Sequence, residues 1–245
     1  MRRLASEIER ALRAAGTPER AAHEKRYLKS ELTHLGASVP AIRAEAKRVR
    51  RERPDLGREE VLALVEALWA KPVHERRMAA VELLQLYAAR LAAADLALVE
   101  RLIRGSRTWA LVDGLAPNVA GPLVQRYPEL GAALDRWAKD DDFWLRRAAL
   151  LTLLVPIRSG GGDFERFGRY ADAMLEEKEF FIRKAIGWVL REASKKAPGR
   201  VIEWLKPRAT RASGLTLREA TKRLQESDRR ALLAQVGPAR GASRA

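Results

Sequence analysis

Apolar residues recur at helical spacing along most of the chain, and this periodicity limits the possible folds more than any other feature. One helical face is marked by five residues at i, i+3, i+4, i+7 and i+8, namely Ala80, Leu83, Leu84, Tyr87 and Ala88. A second face runs for three turns from Ile182 to Ala193. Strand signals are nearly absent, because Val, Ile and Thr rarely cluster and no Asn-Gly or Asp-Gly turn occurs. The pattern predicts an all-α fold.

Glycine, proline and serine interrupt the periodicity and divide the chain into helices of about 10–18 residues. The interruptions fall at Gly36–Pro40, Arg53-Pro54, Lys71-Pro72, Gly121-Pro122, Tyr127-Pro128, Ser159–Gly162, Ala197–Gly199 and Ser213-Gly214. We expect residues 1–235 to form a single domain and residues 236–245 to be a disordered basic tail.

A short motif repeats along the chain, a basic pair followed closely by alanine and apolar residues. It begins at Arg76, Arg146 and Arg183, with a weaker copy at Arg218, so that the intervals are 70, 37 and 35 residues. A degenerate copy near Trp109 would complete a period of about 35 residues. Helix pairs with this period predict an α-solenoid superhelix of HEAT-like repeats. Its inner helices would place the recurring cations on a concave basic surface.

The charge of the chain indicates a polyanionic partner. The 47 Lys and Arg residues exceed the 32 Asp and Glu residues, for a net charge of +15. Residues 1–53 carry +7 and residues 191–245 carry +9, whereas the segment between them carries −1. Two basic flanks on an elongated scaffold suit nucleic acid. The Arg/Ala-rich composition of a high-GC genome would also produce such a charge.

Several classes of site are excluded or not expected. Without cysteine the chain has no disulfide, thiolate metal site or cysteine nucleophile. The three histidines, His23, His34 and His74, are scattered in the first third, so no histidine metal cluster or triad is expected. No apolar run of about 18 residues occurs, and Glu7 and Glu9 interrupt any signal-peptide core. We expect a cytoplasmic protein with no metal, no cofactor and no contact with a membrane.

Trp109 and Asp113 form the first candidate constellation. They are four residues apart, so on a helix their side chains share a face one turn apart. A carboxylate beside an indole is not what a solvated face of a basic protein needs. The alternative is a core tryptophan with a polar neighbour near a helix end.

A second constellation lies within residues 178–195, where Lys184, Trp188, Arg191 and Lys195 share one predicted helix face. An indole in a row of cations suits a surface that meets a phosphate backbone and a sugar or base ring. Alternatively, Trp188 packs against the next repeat and the cations only extend to solvent.

Arg147, three residues after Trp144, is the third candidate. Its guanidinium presents a fork of donors that matches phosphate oxygens, so it is a candidate phosphate clamp. An ion pair with the Asp140–Asp142 run is an equal alternative.

Four segments resemble the AlkD-like family of bacterial DNA alkylation-repair glycosylases. They read FWLRRAALL, KEFFIRKAIGWVLRE, TWALVD and RYLKSELTHLGASVPAIR, and the stretch KAIGWVLRE is the most specific. The resemblance covers about Tyr27 to Arg223 and implies an all-α array of HEAT-like repeats that acts on alkylated double-stranded DNA. It places the family's catalytic Trp-Asp pair on Trp109 and Asp113, and its second tryptophan on Trp188. The residues expected to bind DNA are Tyr27, Arg43, Arg147, Lys184 and Arg191.

One departure concerns the segment after Arg147. Members of the family can carry a basic residue about where Val155 stands, and Pro156 follows it here. Arg158 is the candidate replacement for that contact.

The resemblance implies hydrolysis of the N-glycosidic bond of N3-methyladenine or N7-methylguanine, with no pocket for a flipped base. Because such a base is cationic, it leaves without a general acid, and no histidine is needed. Asp113 would stabilise the oxocarbenium-like deoxyribose and position water, with Trp109 and Trp188 flanking the sugar.

The alternative is a helical-repeat module that binds DNA or a protein partner without catalysis. The presence of Trp109, Asp113 and Trp188 together favours the enzyme. A monomer is expected, because a capped solenoid needs no partner to bury its core.

Overall fold

A computed structural model describes residues 1–235, so the tail expected at residues 236–245 lies outside the described residues. Within residues 1–235 the chain forms helices joined by short turns and contains no strand. Backbone pairing of the β type is limited there to two isolated bridges, Gly16 with Ala37 and Thr33 with Val73. The all-α prediction is confirmed. None of the described helices combines the length and apolarity needed to cross a membrane.

The chain divides into two compact units, Met1–Gly131 and a second that starts at Ala132. The single domain expected over residues 1–235 stays a prediction. The first unit contains α1 (Arg2–Ala14), α2 (Pro18–Leu28), α3 (Val39–Glu52), α4 (Arg58–Trp69), α5 (His74–Leu86), α6 (Leu96–Arg104), α7 (Trp109–Leu115) and α8 (Gly121–Arg126). Next in the chain come α9 (Gly131–Trp137), α10 (Phe143–Thr152), α11 (Leu154–Arg158), α12 (Phe164–Ala173), α13 (Phe180–Ala193), α14 (Pro198–Leu205), α15 (Gly214–Ala220) and α16 (Glu226–Ala234).

Several helices begin where the sequence supplies a capping side chain. Thr17, Ser38, Asp142, Asp163 and Ser213 each accept a hydrogen bond from a backbone N–H two or three residues further on. These bonds satisfy N–H groups that have no partner within the helix. Of these capped starts, those after Ser38, Asp163 and Ser213 fall at or next to a predicted interruption, whereas those after Thr17 and Asp142 do not.

The interruption predicted at Gly121-Pro122 is wrong. The chain continues from α7 through a π-helical turn, Ala116–Ala120, directly into α8. Proline lacks the N–H of an ordinary helical ladder, and the π turn absorbs the resulting change in hydrogen-bond register.

Six helices of the described chain begin at a regular interval, and we call them the repeat helices. They are α3, α5, α7, α10, α13 and α15, and their first residues are 34 to 37 positions apart. The copy predicted near Trp109 is therefore present, as α7. In the first unit α5 packs against α3 and α7, and in the second α13 packs against α10 and α15. A period of about 35 residues is confirmed, whereas the HEAT-like classification of the repeats stays a prediction.

Side chains also join consecutive repeats at this period. The Tyr87 hydroxyl donates to the Arg53 carbonyl at 2.6 Å, and the Tyr170 hydroxyl donates to Asp135 at 2.5 Å. The partners are 34 and 35 residues apart. Buried hydroxyl groups need such partners, so these bonds help to hold the repeats in register.

Two members of the basic motif are bonded within the fold. Arg76 is 3% exposed and donates to the carbonyls of Ala67 and Leu68, at the end of α4. Arg146 is bidentate to the Glu177 carboxylate, at 3.1 and 3.0 Å. The last carbonyls of a helix lack partners within it, and a guanidinium satisfies them well. Cations available to a ligand must therefore be sought at other positions.

The apolar faces predicted from periodicity form the core. On α13 every predicted apolar residue from Ile182 to Ala193 is at most 3% exposed. On α5 the side chains of Ala80, Leu83 and Leu84 are at most 1% exposed, as is that of Tyr87, the residue after the helix, whereas Ala88 lies beyond α5 and is half-buried.

Candidate functional site

One position in the repeat helices carries half of the predicted site residues. The fifth residue is Arg43 in α3, Met78 in α5, Asp113 in α7, Arg147 in α10 and Lys184 in α13. Repeats that stack in register bring equivalent positions of neighbouring helices together. In the first unit Arg43, Met78 and Asp113 indeed line the same cleft.

This cleft has a volume of about 320 Å³ and lies among α2, α3, α5 and α7. Four predicted site residues line it, namely Tyr27, Arg43, Trp109 and Asp113. The α5 side of the cleft is formed by a stripe at helical spacing, His74, Met78, Val81, Glu82 and Gln85. The fold therefore brings residues from distant parts of the first unit into one site.

Trp109 is the first residue of α7, and Asp113 follows one turn later with both side chains half-buried. The next residue, Gly114, allows a close approach to α5, since a Cβ there would lie 2.7 Å from Cγ1 of Val81. The close approach brings α7 against α5 at the residue next to Asp113. The π-helical turn that follows α7 is of a kind found frequently at functional sites.

Tyr27 lies in the last turn of α2, which ends at Lys29 in the left-handed conformation with φ of 47°. The tyrosine is 67% exposed, and its ring meets the Trp109 ring edge to face with centroids 5.9 Å apart. Exposed aromatic rings with a polar tip are typical of surfaces that bind a partner. The two rings thus form an accessible aromatic corner beside Asp113.

Arg43 lies at the mouth of the cleft and pairs with Glu82 at 3.0 Å. Its side chain is 59% exposed, whereas that of Glu82 is 12% exposed. The guanidinium therefore keeps donors open to solvent. Sequence reasoning missed Glu82, although its interval of 39 residues from Arg43 is close to the repeat period.

A group with metal-binding chemistry lies beside the cleft. Glu24, His34 and Glu75 offer ligand atoms within 4.8 Å of one another. The Glu75 carboxylate is fully buried and accepts the Leu35 N–H at 2.9 Å, so it already stabilises the turn before α3. His34 stacks on His74 with centroids 4.6 Å apart, and burial lowers the pKa of both imidazoles, that of His74 to about 3. These bonds give the cluster a structural role.

In the second unit Arg147 is 3% exposed and donates to the Phe181 carbonyl at 2.5 Å. Its guanidinium also lies 5.8 Å from the centroid of the Phe181 ring. A direct phosphate contact stays a prediction, and this burial opposes it because little of the guanidinium is accessible. Arg158, at the end of α11, is exposed.

Lys184, Trp188 and Arg191 lie on one face of α13, as predicted, whereas Lys195, the fourth residue predicted on this face, follows the end of the helix. Lys184 donates to Glu219 at 2.6 Å, and Arg191 pairs with the same carboxylate, which is 2% exposed. Trp188 is half-buried between the two cations along the helix. The cations are therefore held by the next repeat rather than simply extended into solvent. Glu219 was missed by sequence reasoning, although it stands 35 residues after Lys184.

The family of the chain follows from its similarity to known sequences and structures. The sequence model of a family described as DNA alkylation repair enzyme matches residues 8–224, most of the chain. The chain belongs to this family. Membership implies a repair enzyme that acts on DNA and confirms the resemblance found in the sequence.

Solved structures agree with this assignment. A predicted DNA alkylation repair enzyme from Enterococcus faecalis is 26% identical with a TM-score of 0.77, over 86% of this chain and 97% of that one. AlkD2 from Streptococcus mutans is 22% identical with a TM-score of 0.59, over 74% of this chain and 89% of its own. The smu.31 protein of Streptococcus mutans UA159 is 21% identical with a TM-score of 0.59, over 76% and 94%. The two streptococcal structures support the helical-repeat fold. No curated protein matches the chain.

Proposed function

We propose that the protein is a monofunctional DNA glycosylase that releases cationic alkylated purines, such as N3-methyladenine and N7-methylguanine, from duplex DNA. The observation that carries the proposal is the cleft of the first unit, in which Asp113 lies one turn from Trp109 and Tyr27 packs edge to face on that tryptophan. A carboxylate and accessible aromatic rings suit a reaction in which positive charge develops on a sugar.

The reaction needs little more than this arrangement. The bond between C1′ and N9 of the alkylated purine breaks, its electron pair neutralises the cationic base, and the deoxyribose becomes oxocarbenium-like. Asp113 stabilises this charge and orients the water that adds to C1′ and then loses a proton. The face of Trp109 adds an attraction of about 0.5–2 kcal/mol for the developing cation. Trp188 is the second tryptophan of the same proposal.

The remaining residues hold the DNA. Arg43 keeps exposed donors at the mouth of the cleft, where a phosphate oxygen would be their natural acceptor. Tyr27 offers an exposed ring and hydroxyl beside it. We infer that the protein acts in the bacterial cytoplasm, where it meets the nucleoid, and as a monomer, because within each unit the apolar faces of α5 and α13 are buried against neighbouring helices.

The first test is base release from methylated duplex DNA by the wild type, Asp113→Asn and the control Glu59→Gln. Glu59 is exposed on α4 and does not line the cleft. We expect the wild type and Glu59→Gln to release both methylated bases, and Asp113→Asn to bind the duplex but to lose most of this release. Equal release by Asp113→Asn would remove the carboxylate from the mechanism.

Absence of release by the wild type, with tight and salt-sensitive binding to the same duplex, would instead support a DNA-binding scaffold without catalysis.

A second test concerns capture of the base. We propose that the enzyme contacts the sugar and backbone and leaves the base in the stack, so cationic N7 adducts much larger than methyl should also be released. A rate that falls sharply once the adduct outgrows the cleft of about 320 Å³ would favour a base-binding pocket.

A further inference from the structure

Three cations surround one buried carboxylate in the second unit, and we call this group the Glu219 cluster. Glu219 accepts from Lys184 at 2.6 Å and from Lys222 at 3.0 Å, and it pairs with Arg191 through its other oxygen. The carboxylate is 2% exposed, whereas the three cationic side chains are 39%, 51% and 25% exposed. The anion is therefore hidden and the cations face solvent.

The surrounding charges leave the cluster positive. Glu192 lies 3.5 Å from Arg191 and also pairs with Lys195 at 2.6 Å. Four cations and two carboxylates thus share this surface, with a net charge of +2. A buried carboxylate is costly unless it is paired, and here several partners compensate it.

The repeat register explains why Glu219 stands at this point. Arg147 and Lys184 are the second residues of consecutive copies of the basic motif, and Glu219, 35 residues after Lys184, is the second residue of the last copy. Earlier copies of the motif have a second basic residue here, whereas the last copy has glutamate. The reversed sign places a counter-charge below the cations of α13, where a third cation would repel them.

The packing of α13 on α15 holds the carboxylate in place. A Cβ at Gly187 would lie 2.6 Å from Cβ of Glu219 and 2.9 Å from the carbonyl oxygen of Thr216. Only glycine allows the helices to come this close, and Gly187 lies between Lys184 and Arg191 on α13. The close contact therefore sets Glu219 directly among the cations.

We propose that Lys184, Arg191 and Lys222 form one binding site for the phosphates of a DNA backbone, and that Glu219 is the residue that positions them. The proposal rests on the proposed function and extends it to Lys222 and Glu219. A guanidinium presents paired donors and an ammonium a compact charge, and both bind phosphate. Because Glu219 already orders these cationic side chains in the free protein, they lose less conformational entropy when DNA binds.

The site is tested by the affinity for an undamaged duplex, measured across a range of salt concentrations. The variants are Lys222→Gln and the control Lys206→Gln, which removes an exposed lysine outside the cluster. Loss of one phosphate contact should make the slope of log K against log salt shallower by about 0.9, which is about eightfold in affinity at 0.1 M salt. We expect this change for Lys222→Gln and a clearly smaller one for Lys206→Gln. Equal behaviour of the two variants would overturn the site.

Glu219→Gln tests the positioning role, because the two explanations predict opposite changes in affinity for DNA. The substitution adds one positive charge to the surface, so DNA would bind more tightly if net charge alone governed affinity. If Glu219 positions the cations, affinity falls by about eightfold or more at 0.1 M salt, as expected for at least one lost contact. Tighter binding by a folded Glu219→Gln variant would overturn the positioning role. Should this variant fail to fold in circular dichroism, Lys222→Gln still decides the site.

These measurements are independent of base release. A wild type that releases methylated bases, with Lys222→Gln equal to Lys206→Gln, refutes the cluster and leaves the glycosylase standing. A wild type without base release, with the expected loss in Lys222→Gln, refutes the glycosylase and leaves the DNA-binding cluster standing.

Discussion

Mild acid should destabilise the first unit through one buried imidazole. His74 begins α5, is 4% exposed and stacks on His34 with centroids 4.6 Å apart. Its Nδ1 is buried without a hydrogen-bond partner. Burial, and to a smaller extent the neighbouring His34, lowers the pKa of His74 to about 3. His74 therefore stays neutral in the folded chain at pH values where it is protonated in the unfolded chain, whose imidazole pKa is about 6.5.

The sign and size of the effect follow from proton linkage. Between pH 6.5 and 3 the unfolded state binds more protons at His74, so stability is full above this range and is lost as the pH falls through it. For a pKa of about 3 in the folded state, acidification from pH 7 to pH 5 lowers the free energy of unfolding by about 2 kcal/mol. The lowered pKa of His34, caused first by burial and opposed by Glu24, adds to the loss.

Carboxylates contribute at lower pH. The pKa values of Glu9, Asp172 and Glu192 lie below their ordinary values. For Glu9 the chief cause is the hydrogen bond from Lys71. Burial would raise the pKa values of Asp172 and Glu192, but the bonds to their cationic partners outweigh it. Their stabilising effect is retained above pH 5 and is lost only as the pH falls through these lowered values. A change in stability between pH 7 and pH 5 therefore reports on the histidines and not on these carboxylates.

Urea unfolding at pH 7 and pH 5, followed by circular dichroism, checks the prediction. The variants are His74→Phe, which keeps an aromatic ring without a titrating group, and the control His23→Gln, at an exposed position on α2. We expect the wild type and His23→Gln to lose at least about 2 kcal/mol, and His74→Phe to lose about 2 kcal/mol less than they do. An equal loss in all three proteins would refute the assignment to His74.

Three further substitutions test the site and its packing. Gly187→Ala should lower stability by about 1–3 kcal/mol, because its Cβ would overlap Glu219; an unchanged melting temperature would contradict this. Tyr27→Ala should leave stability within about 0.5 kcal/mol, since the side chain is exposed, but should weaken duplex binding and base release; wild-type values for both would remove Tyr27 from the site. Arg147→Ala should weaken binding to duplexes of any sequence, whereas an affinity and salt slope equal to the wild type, with lower stability, would make Arg147 a structural residue.

Features that depend on neighbouring residues could be predicted from the sequence. Apolar spacing places Ile182–Ala193 on one buried face, since the helical period alone decides which side chains point together. The capping side chains of Ser38 and Ser213 stand at the starts of α3 and α15 for the same local reason. Trp109 and Asp113 are one turn apart on α7, as their spacing requires. The period of about 35 residues also predicted a helix at Trp109.

The chemical surroundings of the same residues depend on contacts between repeats. Asp113 shares a cleft with Tyr27 and Arg43 only because α2, α3 and α7 meet around α5. Lys184 looks like a free cation in the sequence, yet the next repeat supplies Glu219 to hold it.

Arg147 shows the same limit of sequence reasoning. It occupies the same repeat position as Lys184, but it is buried and donates to the Phe181 carbonyl. Helix formation is encoded within a few residues of the chain, so most of the helical pattern, its period and the spacing of Trp109 and Asp113 could be predicted without a structure. The partners of Lys184 and Arg147 stand 35 and 34 residues further along the chain, and the packing of one repeat on the next brings them into contact.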